Sequence, residues 1–173
     1  AVLRGLEYLR SEQDDDGSWY GRWGTNYIYG TWSALCAFNA AGEDMHAPHI
    51  RKAVEWVKTV QRDDGGWGED CATYWKKHRG EAKESTPAQT AWALLALMAG
   101  GEVNSEAVGR GIDFLLAAPR DGALWRTRYY NAVGFPRVFY LHYHGYESYF
   151  PLWALARFRN LQGGTAPYPE FGL

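Results

Sequence analysis

Leu3, Leu6 and Leu9 recur at three-residue intervals near the start of the chain, and Val54, Val57 and Val60 repeat the spacing further on. That interval draws one apolar stripe down a helix and predicts helices over 1–12 and 48–61, the second with Pro48 at its first turn. Between them, residues 29–41 are apolar almost all round (Tyr29, Trp32, Leu35, Cys36, Phe38), as in a helix buried on most sides, with Gly42 as its C-cap. Ser85-Thr86-Pro87 opens a second such helix, running to about Met98 and stopped by Gly100-Gly101. Further helices are predicted over 105–117 and 147–161, with loops over 13–26, 62–85 and 119–146. No strand alternation is convincing, so the fold class is all-α.

The amphipathic helices carry a repeat. Arg4, Tyr8, Gln13, Gly17 and Trp19 are matched in spacing by Lys52, Trp56, Gln61, Gly65 and Trp67. A third copy, Arg110, Phe114, Gly122 and Trp125, is degraded: Pro119 stands where Gln is due, and its Gly falls one place early. Repetition at such a period means stacked supersecondary units. The Gln can satisfy a neighbouring helix end, and the Trp can stack on the preceding helix and donate its indole N–H. The motif is a structural clamp, and none of its copies is assigned to catalysis. Amphipathic helices alternating with apolar ones predict a two-layer α/α toroid: three inner/outer helix pairs, about half of an (α/α)6 barrel. An open half barrel should leave its inner face uncovered, including Trp92, Leu95 and Phe150.

Composition sharpens this picture. Nine Trp and twelve Tyr in 173 residues exceed what such a core needs and predict an aromatic-lined surface as well. A net charge of −2 gives no electrostatic case for nucleic acid. Two cysteines, Cys36 and Cys71, make no disulfide framework. The apolar run from Ala91 to Gly100 is too short to span a bilayer. The chain opens inside a helix pattern, Ala1-Val2-Leu3, without an initiator Met, which predicts a fragment.

Asp14-Asp15-Asp16 invites an acid role, but these residues sit in the repeat's turn, where solvated aspartates are ordinary. There is no Asp-Asp-x-x-Asp motif for magnesium-diphosphate chemistry. Glu69-Asp70-Cys71 with His78 has poor zinc spacing, so ordering of the loop is favoured over metal binding.

Several stretches resemble the C-terminal part of bacterial squalene–hopene cyclases. They are the Gln-Trp repeat itself, Gly17-Ser18-Trp19-Tyr20-Gly21-Arg22-Trp23-Gly24, Asn26-Tyr27-Ile28-Tyr29-Gly30-Thr31, Asp64-Gly65-Gly66-Trp67-Gly68-Glu69-Asp70-Cys71, Ser85-Thr86-Pro87-Ala88-Gln89-Thr90-Ala91-Trp92-Ala93-Leu94 and Gly134-Phe135-Pro136. They run in order from about residue 3 to 161. The resemblance implies half of a catalytic barrel over 1–162, and the Gly/Pro composition of 163–173 predicts a poorly ordered tail. In that family a protonated Asp of an Asp-x-Asp-Asp motif starts the cyclisation of squalene to pentacyclic hopanoids through carbocations. The motif is absent here, since Gln13 stands where its first Asp would be needed.

What the resemblance leaves to this chain is the cavity wall. It implies substrate-lining roles for Trp23, Phe135, Phe139, Tyr143 and Tyr146, a shape-setting role for Leu141, and a place behind the wall for Tyr140. Tyr29 resembles the tyrosine that helps return the acid's proton. Phe135, Phe139 and Tyr143 recur every four residues through a segment broken by Pro136, and their rings are expected on one side, toward the barrel axis. The chain departs from the family at Arg137-Val138, His142 and His144, which puts the local loop shape in question. By resemblance the partners are squalene or a related polyprene and the remaining N-terminal part of the same enzyme. That part also supplies contact with the cytoplasmic side of the bacterial inner membrane. A homodimer stays open, and neither cofactor nor metal is implied. The rivals are a protein prenyltransferase β-like toroid, which binds zinc, an (α/α) glycoside hydrolase using Glu69 and Asp70, and a non-catalytic helical-repeat module. Adjacent carboxylates on one loop cannot readily flank a glycosidic bond. Without its acid, the isolated fragment is expected to turn over no squalene.

Overall fold

A computed structural model describes residues 1–75, 84–122 and 124–163. His78, and the expected tail from residue 164 onward, lie outside the described residues. All six periodic segments are helices: α1 (Val2–Ser11), α2 (Tyr27–Ala40), α3 (Pro48–Thr59), α4 (Pro87–Ala99), α5 (Glu106–Ala117) and α6 (Tyr146–Gln162). Local chemistry sets several of their ends. Thr86 Oγ1 accepts from the Gln89 amide (3.3 Å) ahead of Pro87, and Ser105 Oγ accepts from the Val108 amide (3.3 Å).

The clamp forms as expected. Gln13 Nε2 donates to the Gly17 carbonyl (2.8 Å) and across to His49 in the first turn of α3 (2.9 Å). Gln61 Nε2 does the same for Gly65 (2.8 Å) and Ala107 in the first turn of α5 (2.9 Å). Each Gln therefore ties its own turn to the next outer helix. The indole N–H groups of Trp19, Trp67 and Trp125 donate back to Leu9 (2.7 Å), Val57 (2.7 Å) and Leu115 (2.9 Å). The Trp bond thus survives in the third copy, where the Gln is lost.

These ties give two layers. The helices α2, α4 and α6 pack side by side, and α1, α3 and α5 pack outside them, as an open arc rather than a closed barrel. The open half barrel predicts exposure of Trp92 and Leu95; both are instead fully buried. The reason is position: α4 is the middle inner helix, and α2 and α6 close over its two flanks until every one of its residues is buried. Phe150 is half-buried, and the large exposed hydrophobic side chains of α6 are Tyr149, Leu152 and Trp153.

The loop over 119–146 holds two short antiparallel ribbons that periodicity did not predict. One pairs β1 (Arg120–Asp121) with β2 (Leu124–Trp125), the other β3 (Ala132–Phe135) with β4 (Phe139–Leu141). The second turns through Pro136, Arg137 and Val138, with Arg137 in the left-handed region at φ 67°. Its free edge is covered by the loop before α2: the Val133 amide donates to Trp23 (3.0 Å) and the Thr25 amide to Asn131 (3.1 Å). Strands this short carry too few residues to show alternation, and their edge partner lies about a hundred residues away in sequence. A short 3-10 helix, η1 (Cys71–Tyr74), follows Asp70, whose Oδ1 caps it through the Ala72 amide (2.8 Å).

Candidate active-site wall

The ribbon β3–β4 decides which aromatic residues meet. Side chains alternate along a strand, so Phe139 and Leu141 take one face and Tyr140 the other. Phe135 and Phe139 are cross-strand partners, with ring centroids 5.6 Å apart in an edge-on contact. The Phe139 ring lies on the Gly134 backbone so closely that a Cβ there would sit 2.0 Å from it. Only glycine at 134 admits the ring. Arg22 joins this corner, its guanidinium carbon 4.4 Å from the Trp23 ring centre and 5.9 Å from that of Phe135. Trp23, Phe135 and Phe139 are 61%, 58% and 45% exposed.

Tyr29, Tyr143 and Tyr146 form a second group. Buried Asn131 holds the backbone of Tyr143 from both sides, accepting from its amide (2.9 Å) and donating to its carbonyl (3.0 Å). The Tyr143 ring then meets Tyr146 at 5.0 Å. Tyr146 and Tyr29 each stand edge-on to Trp92, at 6.0 and 5.0 Å. Trp32 stacks parallel to Trp92 at 6.2 Å, and Phe150 packs edge-on against both tryptophans. A Cβ at Gly24 would meet the Tyr29 ring at 2.2 Å, so that ring is gripped between a bare backbone and Trp92. Burial pushes the Tyr29 phenol up, although Ser33 bonds to it and pulls the other way; burial likewise raises Tyr146. Both tyrosines therefore stay neutral near pH 7, each hydroxyl able to donate and accept hydrogen bonds.

Tyr140 stands apart. It stacks on Tyr74 at 5.9 Å, accepts from the Arg137 amide (3.2 Å) and lies 3.5 Å from the Cys71 carbonyl. Leu141 is half-buried and pairs with Ala132. Phe135, Phe139 and Tyr143 lie on a hairpin and its exit, so their four-residue spacing is not helical. The first two touch each other, whereas Tyr143 belongs with Tyr146. Just beyond, His142 bonds to the buried carboxylate of Glu147 through Nε2, and its ring lies 4.7 Å from that of His144.

A cavity of about 430 Å³ is lined by Tyr8, Trp19, Tyr20, Arg22 and Tyr29 among others, which places Tyr29 at an opening. A larger one of about 540 Å³, bordered by Tyr27, Trp56, Gln61 and Glu69, includes none of the predicted wall residues. Sequence reasoning missed Trp32, Asn131 and Arg22 as parts of this region. The polar-aromatic step Arg22-Trp23 was a signal; Asn131 carried none. Asp16 has a turn role, accepting from the Ser18 amide (3.1 Å) and hydroxyl (2.8 Å). Burial pushes the Cys71 thiol up to about 12, so it is a protonated thiol near pH 7. Among the described residues no group of three His, Cys, Asp or Glu side chains could hold a metal ion.

Residues 1–160 match the family model for the squalene-hopene cyclase C-terminal domain. The chain is 57% identical to a squalene–hopene cyclase of Zymomonas mobilis over 97% of its own length and 26% of that relative's. It is 58% identical to one of Bradyrhizobium diazoefficiens over 99% of its length and 26% of that relative's. It therefore spans about a quarter of the curated relatives it matches. A solved structure of ent-copalyl diphosphate synthase from Streptomyces platensis superposes with a TM-score of 0.58 at 25% identity, over 93% of this chain and 27% of that one.

Proposed function

The chain belongs to the squalene-hopene cyclase C-terminal domain family, and on that premise we propose that it forms the aromatic wall of a triterpene cyclase acting on squalene. The observation that carries this is the grouping of Trp23 with Phe135 and Phe139, and of Tyr29 with Tyr143 and Tyr146. A carbocation needs negative potential without an attacking lone pair. The face of an aromatic ring supplies that, with about 2 kcal/mol or more per contact once water is excluded. The Trp23 face already holds a positive charge, the guanidinium of Arg22. A fixed wall of such faces favours cationic transition states over the neutral polyene, because its dipoles need no reorganisation.

In this scheme the initiating acid comes from the rest of the enzyme, and Tyr29, neutral and facing a cavity, relays the returning proton: its oxygen takes the proton that the final cation has released to water as its own O–H proton passes to the acid's carboxylate, so the phenol is regenerated. Phe135 and Phe139 stabilise later cations, Tyr143 and Tyr146 continue the wall, Leu141 shapes it, and Tyr140 braces the ribbon from its other face. Its partners are squalene and the remaining part of the same polypeptide. Membrane attachment, at the cytoplasmic side of the bacterial inner membrane, is assigned to that part by the family resemblance. The test is product analysis. A full-length cyclase carrying this sequence should convert squalene to polycyclic hydrocarbons, and this chain alone should not. Turnover by the chain alone, or a full-length protein inert toward squalene, would overturn the assignment.

A further inference from the structure

We infer that Glu69 is a positioning residue: its carboxylate fixes the start of α2, and through it the rings of Tyr29 and Trp23. The inference rests on the cyclase assignment above for its consequence in catalysis, but its geometry stands independently. The side chain is only 9% exposed. Its Oε2 accepts from the Asn26 amide (3.1 Å) and the Ile28 amide (2.6 Å), and its Oε1 from the Tyr27 amide (3.1 Å).

The first N–H groups of a helix have no acceptor within the helix, and the residue just before it usually serves. Here that residue is Asn26, and its side chain is engaged elsewhere. Its Oδ1 accepts from the Gly21 amide (3.1 Å) and its Nδ2 donates to Thr73 (3.2 Å). The start of α2 is therefore capped by a carboxylate more than forty positions further along the chain, on the loop that follows the second Gln-Trp copy. A negative charge there also complements the positive end of the helix dipole.

Around this carboxylate the wall segments converge. Gln89 of α4 donates to the carbonyls of Thr25 (3.2 Å) and Glu69 (3.4 Å). The Tyr74 hydroxyl bonds to the carbonyls of Gly21 (3.0 Å) and Gly24 (3.2 Å), and Arg137 of the hairpin turn donates to the Tyr74 carbonyl (3.0 Å). Tyr29 lies one residue beyond Ile28, and Trp23 lies between Gly21 and Gly24. Tyr29 is thus held on a segment that ends on Glu69, and Trp23 on one tied to Tyr74 and, through the Asn26 side chain, to the capped start of α2. If the first turn of α2 loosens, the Tyr29 ring loses its fixed place between Gly24 and Trp92.

The variant Glu69→Gln tests this in the full-length cyclase. The amide keeps one acceptor oxygen and turns an NH2 group toward the remaining donors, so at least one of the three bonds is lost. Two measurements are made together. Amide hydrogen exchange at Asn26, Tyr27 and Ile28 should speed up roughly tenfold while Leu35 to Phe38 stay protected. The share of truncated, partly cyclised squalene products should rise roughly tenfold, as misplacement of reacting groups predicts. Ser105→Ala, which removes the side-chain cap of the outer helix α5 away from Glu69, serves as the comparator and should leave the product ratio unchanged.

Faster exchange with an unchanged product ratio overturns the positioning role and leaves a purely structural cap. Unchanged exchange overturns the inference altogether. A full-length parent inert toward squalene refutes the cyclase assignment instead, and the exchange arm still decides whether Glu69 fixes the start of α2. Should Glu69→Gln fail to fold, Glu69→Asp, which keeps the charge and shortens the reach by one methylene, is measured in the same two ways.

Discussion

Two sets of tryptophans divide this molecule. Trp19, Trp67 and Trp125 belong to the repeat, and each donates its indole N–H to a carbonyl of the preceding outer helix. Trp32 and Trp92 lie under the wall; the Trp32 N–H meets only the Cys36 thiol, and the buried Trp92 N–H has no hydrogen-bond partner among the described residues. A buried donor without an acceptor costs free energy, and a thiol is a weak one, so hydrogen bonding does not explain where these two rings sit. Their neighbours do: Trp32 and Trp92 stack on each other and present edges or faces to Tyr29, Tyr146 and Phe150. The clamp tryptophans stabilise the scaffold through a ring and a hydrogen bond. The inner pair holds other rings in place.

The contrast can be broken by substitution. Trp67→Ala should have the largest effect. The side chain is fully buried and its removal leaves a cavity and an orphaned Val57 carbonyl, costing about 3–5 kcal/mol of stability in thermal or denaturant unfolding. Whatever enzyme remains folded should give the normal product ratio. Phe139→Ala should do the reverse. With its ring 45% exposed it contributes little to folding, but losing a cation–π contact of about 2 kcal/mol should release partly cyclised products, since an unstabilised cation loses its proton early. Phe139→Tyr keeps the face and should retain more full cyclisation. Normal products at a reduced rate from Phe139→Ala would make the ring packing only.

Gln61→Ala sharpens the scaffold side. It removes donors to Gly65 and Ala107 and should cost about 1–2 kcal/mol, read as a lowered melting temperature. Pro119→Ala should have the smallest effect, within about 0.5 kcal/mol, because the third copy has no Gln bond to lose. Equal losses at 61 and 119 would refute the clamp.

Much of this was legible from residue order because it depends on local periodicity. The three-residue stripes of α1 and α3, the apolar runs of α2 and α4, Pro48, and the Ser85-Thr86-Pro87 start each report on structure within a few turns of themselves. The repeat reported more, since equal spacing of Gln13 and Gln61 implied equal bonds, and both form. The number of helices, their alternation between layers and the clamp were therefore determined by the sequence itself. Only the tertiary structure decided the rest, wherever a residue's role depends on a partner far along the chain. The β3–β4 ribbon has its outer edge covered by Trp23 and Thr25, which bond to it from far along the chain. Trp92 is buried because α2 and α6 flank α4. Glu69, one acidic residue in a loop, caps α2 because folding brings it to three amide donors that no local pattern could have assigned to it.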